Sequence, residues 1–286
     1  MAKSKITDDP PFTLGRTITV MEDTLLEFPS LYLDVFIQAD NSEYRQFAEL
    51  FTRANCARAV SPEVADLIVF GGGVDVNPVL YGELEHPSTC WDSARDKMDM
   101  DLYDYAFRSG IPMLGVCRGA QFGHVMHGGK LYQDVNGHYS DHSMWDLRGR
   151  NKVERVSSVH HQACIRPENN PDFTLLGAAR ESSKRYLNDT EFETGPKTDV
   201  EAFFYRSTHF LGVQGHPEYR GYYGFAKWTL DMIEELIVNS PDIKHFSGKG
   251  LRIKSELIEE RTILAQNRQK DRDLMLDNST LAEGAF

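Results

Sequence analysis

The chain reads as an α/β fold with a largely parallel sheet. Three observations predict this. Short apolar runs alternate with segments of helical periodicity. Two of those runs, 66–70 and 111–116, end in glycine-bearing turns of the kind that terminate buried strands. Glycines also stand where a helix would stop, at Gly128 and Gly129.

In chain order, 31–37 is the first expected strand and 43–54 the first helix. A second strand over 66–70 runs into Gly71, Gly72 and Gly73. A helix over about 95–108 leads to the strand 111–116, and the next helix starts at Arg118. Beyond Asp134 the pattern loosens into a polar stretch. Strands are expected again at 153–159, 200–205 and 210–214, and a long helix over 222–238 closes the core. After Pro241, the run Gly248, Lys249, Gly250 reads as a hinge. The charged segment 251–275 then reads as a helix with Ile253, Leu257 and Leu264 on one narrow face. It is either a solvated helix resting on its own domain, or a docking helix for a second copy of the chain or a synthetase partner. The organisation is thus an arm over 1–30, a domain over 31–245 and a charged extension over 246–286.

With 286 residues, 41% of them hydrophobic, the chain can bury one sizeable core. A net charge of −12 and the lack of a concentrated Lys/Arg run argue against a nucleic-acid groove, which needs a positive surface. Small-molecule substrates fit better. Cys56, Cys90, Cys117 and Cys164 lie far apart without CxxC spacing, which suggests neither a zinc site nor a disulfide framework and fits a reducing cytoplasm. The N-terminus lacks an apolar signal region, and no stretch approaches a membrane span, so the expectation is a soluble protein with no membrane partner.

The chemistry-bearing feature is Gly115-x-Cys117-x-Gly119 at the end of the strand 111–116. Small residues on both sides of a nucleophile suit a strand-to-helix elbow, whose tight backbone excludes side chains at those neighbours. A thiol there meets the positive end of the helix dipole, which favours thiolate. The alternative is a buried structural cysteine before a glycine loop. A nucleophilic thiol needs a base, and the base needs an orienting group. Among ten histidines, His216 follows the apolar strand 210–214 and is followed by Pro217 and Glu218. Residues two apart at a strand end can point the same way, so Glu218 can hold the imidazole while its other nitrogen faces Cys117. His124 and His127, then His138 and His142, invite a metal reading, but no cysteine or glutamate completes a recognisable ligand spacing, and no metal site is expected. Tyr139 and Trp145, in the same loop, line a substrate entrance or cover the core.

The set GVCRGAQ (115–121), SVHHQ (158–162) and GVQGHPE (212–218) resembles the class I glutamine amidotransferase-like hydrolases. Within them it is most similar to the peptidase C26 branch, which includes γ-glutamyl hydrolases. GGGVDVNPVLYGE (71–83) and the pair Arg95, Asp96 also resemble that branch. The resemblance spans about residues 31–240. It implies a three-layer sandwich of the flavodoxin-like class I glutamine amidotransferase kind. It implies Cys117 as nucleophile, His216 as acid/base and Glu218 as its orienting partner. The oxyanion would be held by backbone N–H groups of Gly72 and Arg118, and Gln121, His161 and His160 would contact the substrate. Gln121 could instead be a helix-surface amide and His160 a structural histidine. Glu201 matches an acidic family position that ordinary strand polarity also explains.

The implied activity is hydrolysis of a γ-glutamyl amide through a thioester, with no cofactor. A glutaminase subunit passing ammonia to a synthetase is the alternative, and a catalytically silent binding module is the third. One position departs from the family: Gly215 stands where an aromatic is usual, which predicts a less tightly packed base or open space beside it.

Overall fold

In the computed structural model, residues 26–149, 152–188, 190–192, 198–241 and 243 are described. The charged extension, with Ile253, Leu257 and Leu264, lies outside the described residues, as does most of the N-terminal arm.

The first half of the fold is a run of strands and helices: β1 (Asp34–Gln38), α1 (Asn41–Arg53), β2 (Ala57–Arg58), β3 (Leu67–Phe70), α2 (Ser93–Ser109), β4 (Met113–Val116) and α3 (Arg118–Met126). Local chemistry sets the helix ends. Asp40 caps α1 by accepting from Ser42 and Glu43 N–H, and Asp92 does the same for α2 through Ala94 and Arg95. Gly110, at φ 67°, ends α2 in the left-handed conformation that glycine adopts without penalty.

The second half is rich in strands: β5 (Leu131–Tyr132), β6 (Asp134–Val135), β7 (His142–Asp146), β8 (Val153–Val156), β9 (Ala163–Cys164), β10 (Phe173–Ala179), β11 (Arg185–Leu187), β12 (Thr190–Phe192), β13 (Asp199–Tyr205) and β14 (Phe210–Val213). Helix α4 (Tyr223–Ile233) follows and widens into a π turn over Glu234–Val238.

Among the described residues, nine strands form the central sheet in the order β2-β1-β3-β4-β14-β13-β10-β7-β8. The five strands from β2 to β14 pair in parallel. The four beyond them are joined by antiparallel ladders. The parallel half carries the strand ends of interest: β3, β4 and β14 are neighbours, with Phe70 opposite Gly115 and Val116 opposite Val213.

Both sheet faces are covered, which makes the three layers. Leu67, Val69, Leu114, Val116, Leu211 and Val213 face one core with Phe47, Leu50 and Phe51 of α1 and Leu230 and Ile233 of α4. The alternate residues Ile68, Phe70, Met113 and Phe210 face a second core with Tyr103 and Ala106 of α2 and Phe122 and Val125 of α3. This alternation is the strand period of two, and its apolar character on both faces is the mark of a doubly covered sheet.

Within the central sheet, three strands arise where no strand is expected. In β7 the inward residues are His142, Met144 and Asp146, with Trp145 outside, so the buried face is largely polar and hydrophobic periodicity cannot reveal it. Its polar groups are paired instead: Trp228 Nε1 donates to Asp146 Oδ2 at 3.0 Å, and His142 pairs with Glu201 at 3.1 Å. β10 ends in the small residues Gly177, Ala178 and Ala179, and Gly177 packs against Met144. β2 is a two-residue edge strand. Among the described residues no helix is long and apolar enough to cross a membrane.

Candidate active site

Cys117 sits between β4 and α3 at φ 52° and ψ −112°, a conformation rare for a residue with a side chain. Its neighbours explain how the turn closes. A Cβ on Gly115 would lie 2.5 Å from the Gly119 carbonyl oxygen, and one on Gly119 would lie 2.0 Å from the Phe70 carbonyl oxygen. The Cys117 N–H donates to Val213 O at 2.9 Å, which fastens the elbow to β14. The side chain is 8% exposed and lines a cleft with Gly73, Asp75, Gln121, His160 and His161.

His216 lies just beyond β14. Its Nδ1 donates to Glu218 Oε1 at 2.6 Å, so the tautomer is set and Nε2 is left for Cys117. Burial works to lower the imidazole pKa, but the Cys117 sulfur and the Glu218 carboxylate outweigh it and raise it well above the usual value. Ser157 fixes the backbone, its Oγ accepting from the His216 N–H at 2.7 Å. Tyr219 stacks on the imidazole at 4.3 Å between ring centres and 9° between planes.

The space expected beside Gly215 does not exist. A Cβ there would meet Val156 Cγ1 at 2.5 Å, Ser157 O at 2.9 Å and Phe225 Cε1 at 3.0 Å. The ring that packs His216 comes from Tyr219 instead, so the departure from the family pattern leaves the imidazole tightly held.

Gly72 lies beside His216: a Cβ on it would be 3.0 Å from His216 Cε1 and 2.5 Å from Glu43 Oε1. Arg118 opens α3, where first-turn N–H groups have no acceptor within the helix. Its side chain turns away and is buried between Asp96, at 2.5 Å, and Asp99, which also binds Arg95 at 3.0 Å. This Arg95, Asp96, Asp99, Arg118 network ties the start of α3 to α2.

Gln121 is buried rather than on a helix surface. Its Nε2 donates to Gln162 O at 3.0 Å and to Gln214 Oε1 at 3.3 Å. His160 is fully enclosed, its Nδ1 bonded to Gln162 O at 2.8 Å, and burial pushes its pKa well below the usual value. His161 is quarter-exposed and meets Asp75 at 3.1 Å and Asp134 at 3.4 Å. Its bonded Asp75 carboxylate, with Asp134 beyond, raises its pKa against the opposing effect of burial.

The other histidines separate. His124 bonds Ile165 O at 2.9 Å and Tyr205 at 2.8 Å, and His127 bonds Gly123 O and Thr208 at 2.7 Å each. His138 pairs with Asp199 at 3.1 Å. The fold does bring a glutamate to the second pair, which the linear spacing hides: Glu201 lies 3.1 Å from His142 and 3.6 Å from His138. Glu201 is thus a buried partner of these rings rather than ordinary strand polarity. Tyr139 and Trp145 are both exposed, so neither covers the core.

Sequence reasoning misses Glu43, Asp75, Ser157 and Tyr219. Tyr219 directly follows the His-Pro-Glu run and Asp75 lies inside the glycine-turn motif, so both carried a positional signal. Ser157 and Glu43 reach the site only through the packing of distant segments.

The peptidase C26 family model matches residues 50–218, more than half of the chain and the span from α1 to Glu218. The glutamine amidotransferase-like protein YvdE of Lactococcus lactis subsp. lactis is 31% identical over 162 residues, covering 54% of this chain and 66% of that protein. A Schizosaccharomyces pombe protein named among the glutamine amidotransferases is 34% identical over 178 residues, covering 55% of this chain and 63% of that one. The chain therefore spans less than two thirds of the length of these relatives. A solved glutamine amidotransferase from Thermotoga maritima is 17% identical, with 82% of this chain and 97% of that chain covered at a TM-score of 0.45. With the elbow, the His-Pro-Glu run and the glycine turn at three adjacent strand ends, and the family match running through all three, the chain belongs to the peptidase C26 branch of the class I glutamine amidotransferase superfamily.

Proposed function

We propose that this protein hydrolyses a γ-glutamyl amide, either glutamine or a γ-glutamyl-amine, by covalent catalysis at Cys117. The observation that carries the reading is His216, with Nδ1 committed to Glu218 and the Cys117 sulfur acting on the same ring. Sγ attacks the γ-carbonyl carbon as its proton passes to His216 Nε2. The charge that develops on the carbonyl oxygen meets backbone N–H groups of Arg118 and the Gly71–Gly73 turn. The C–N bond breaks as His216 returns the proton to the departing nitrogen, leaving a γ-glutamyl thioester. Water, deprotonated by the same imidazole, then adds to the thioester carbon; the C–S bond breaks, His216 returns the proton to Sγ, and glutamate is released. Gln121, His160 and His161 wall the cleft that holds the glutamyl end.

The test is release of glutamate from L-glutamine and from γ-glutamyl-amines, with ammonia and amine measured side by side. Cys117→Ala should abolish release, and a glutamine-like electrophile should label Cys117. No turnover of either class together with no labelling overturns the reading. Turnover of glutamine alone, stimulated by an added synthetase, favours the ammonia-supplying alternative, in keeping with the 24% identity over 194 residues to the glutamine-hydrolysing GMP synthase of Francisella tularensis subsp. novicida.

A further inference from the structure

Glu43 has the wrong surroundings for the role its position suggests. It is the third residue of α1, three after the capping Asp40, where a glutamate ordinarily reaches back to the cap N–H. Here the carboxylate turns inward. Its Oε1 lies 2.5 Å from where a Cβ on Gly72 would stand, and its Oε2 lies 2.9 Å from the same point on Gly71. The same Gly72 point is 3.0 Å from His216 Cε1, so carboxylate and imidazole edge converge on one backbone position. Glu43, His216 and Glu218 each place a polar atom within 4.8 Å of the others. Glu43 Oε2 is buried with no hydrogen-bond partner among the described residues.

We propose that Glu43 is a positioning residue of this site, holding the Gly71–Gly72 backbone on one side and bearing on the Cε1 edge of His216 on the other. Engaging the Gly72 N–H, it restrains the glycine turn, in which Gly71 N–H is bonded to Gln38 O and Gly73 N–H is the one offered to the oxyanion. Lying near the Cε1 edge, next to the Nδ1 that Glu218 holds, it adds negative charge close to the proton that His216 must carry and release. Burial, countered in part by His216 and the Gly72 N–H, raises its own pKa, and Glu218 and Asp40 push it further the same way. The other charged and titratable groups around it are Tyr219, stacked on His216, and Arg95, which donates to Gly71 O at 3.5 Å and acts on Asp40. The role in turnover rests on the hydrolytic reading above; the link to His216 does not.

Glu43→Gln keeps the shape and removes the charge, Glu43→Ala removes both, and Glu49→Gln, an exposed change on the same helix, is the control. In wild-type protein, carbon-13 NMR titration should find the Glu43 carboxyl above the ordinary glutamate range. In Glu43→Gln the His216 imidazolium should lose its proton at a pH lower by about half a unit or more, because a neighbouring carboxylate no longer holds it. Turnover of L-glutamine should fall about tenfold to a hundredfold in kcat for Glu43→Ala, with KM within about twofold, because the oxyanion turn loses its support. Glu49→Gln should change none of these. An ordinary glutamate pKa for Glu43, or a Glu43→Gln protein whose His216 titrates as in wild type and whose kcat is unchanged, overturns the proposal, and the first of these needs no variant to fold. A shifted His216 titration in a protein that cleaves no γ-glutamyl amide would sink the hydrolytic reading while leaving the Glu43 to His216 link standing.

Discussion

At Gly215 a single missing side chain changes how the His216 imidazole is supported. The family resemblance places an aromatic there, and loss of one suggests a gap. Val156, Ser157 and Phe225 close the space, and Tyr219 supplies the stacking ring from three residues after His216. Restoring an aromatic should therefore harm the protein. Gly215→Trp is expected to cost about 1–3 kcal/mol or more by overpacking, with lower activity as Ser157 and His216 shift, read from chemical denaturation and from glutamate release. A variant as stable as wild type with higher activity would contradict this packing account. Tyr219→Ala should leave the fold intact and loosen the imidazole, seen as reduced kcat with little change in KM.

The elements carry a second layer of support. α3 begins directly after Cys117, and its first residue anchors it to α2 through buried Arg118 held by Asp96 and Asp99. Both carboxylates project from α2, one turn apart, and Asp99 also serves Arg95. Removing one partner strands charge in a dry setting, which costs far more than the pair contributes. Asp99→Ala is expected to lose about 3–5 kcal/mol by urea denaturation, with reduced Cys117 labelling in any folded fraction. A loss of under about 1 kcal/mol would show that water or another group takes over. The Arg-Asp opening of this helix was visible in the sequence as a family-like pair, but its purpose was not. Two residues i, i+3 on one helix can face anything; only the packing of α2 against α3 directs them at Arg118.

On the scale of the whole molecule, desolvated histidines make stability depend on pH. His127 is partly buried at the end of α3 beside the second core, stacked on Tyr205 at 3.8 Å, and loss of hydration pushes its pKa down to about 3. An unfolded histidine titrates near 6.5. As pH falls from about 6.5 towards 3, the unfolded chain binds a proton that folded His127 refuses, so stability falls over that window by up to ~1.4 kcal/mol per pH unit. His160, also held neutral by burial, acts in the same direction. Urea midpoints measured between pH 7 and 4 should decline, and His127→Gln should flatten that decline even though it lowers stability at pH 7. An unchanged slope in His127→Gln would assign the acid sensitivity to other groups.

By itself, the sequence determined the α/β class, the strands 66–70, 111–116 and 210–214, the elbow around Cys117 and the His216, Glu218 pair. Each is local: an apolar run, a glycine that excludes a side chain, or two residues separated by one. The tertiary structure alone decided what distance along the chain conceals. β7 buries polar residues and so escapes periodicity, Glu201 meets His142 only across the sheet, and the four strands beyond β14 turn antiparallel by long-range pairing. Glu43 is the clearest case. Its sequence position spells a helix cap, yet the approach of α1 to the glycine turn and to the end of β14 places its carboxylate beside Gly72 and near His216.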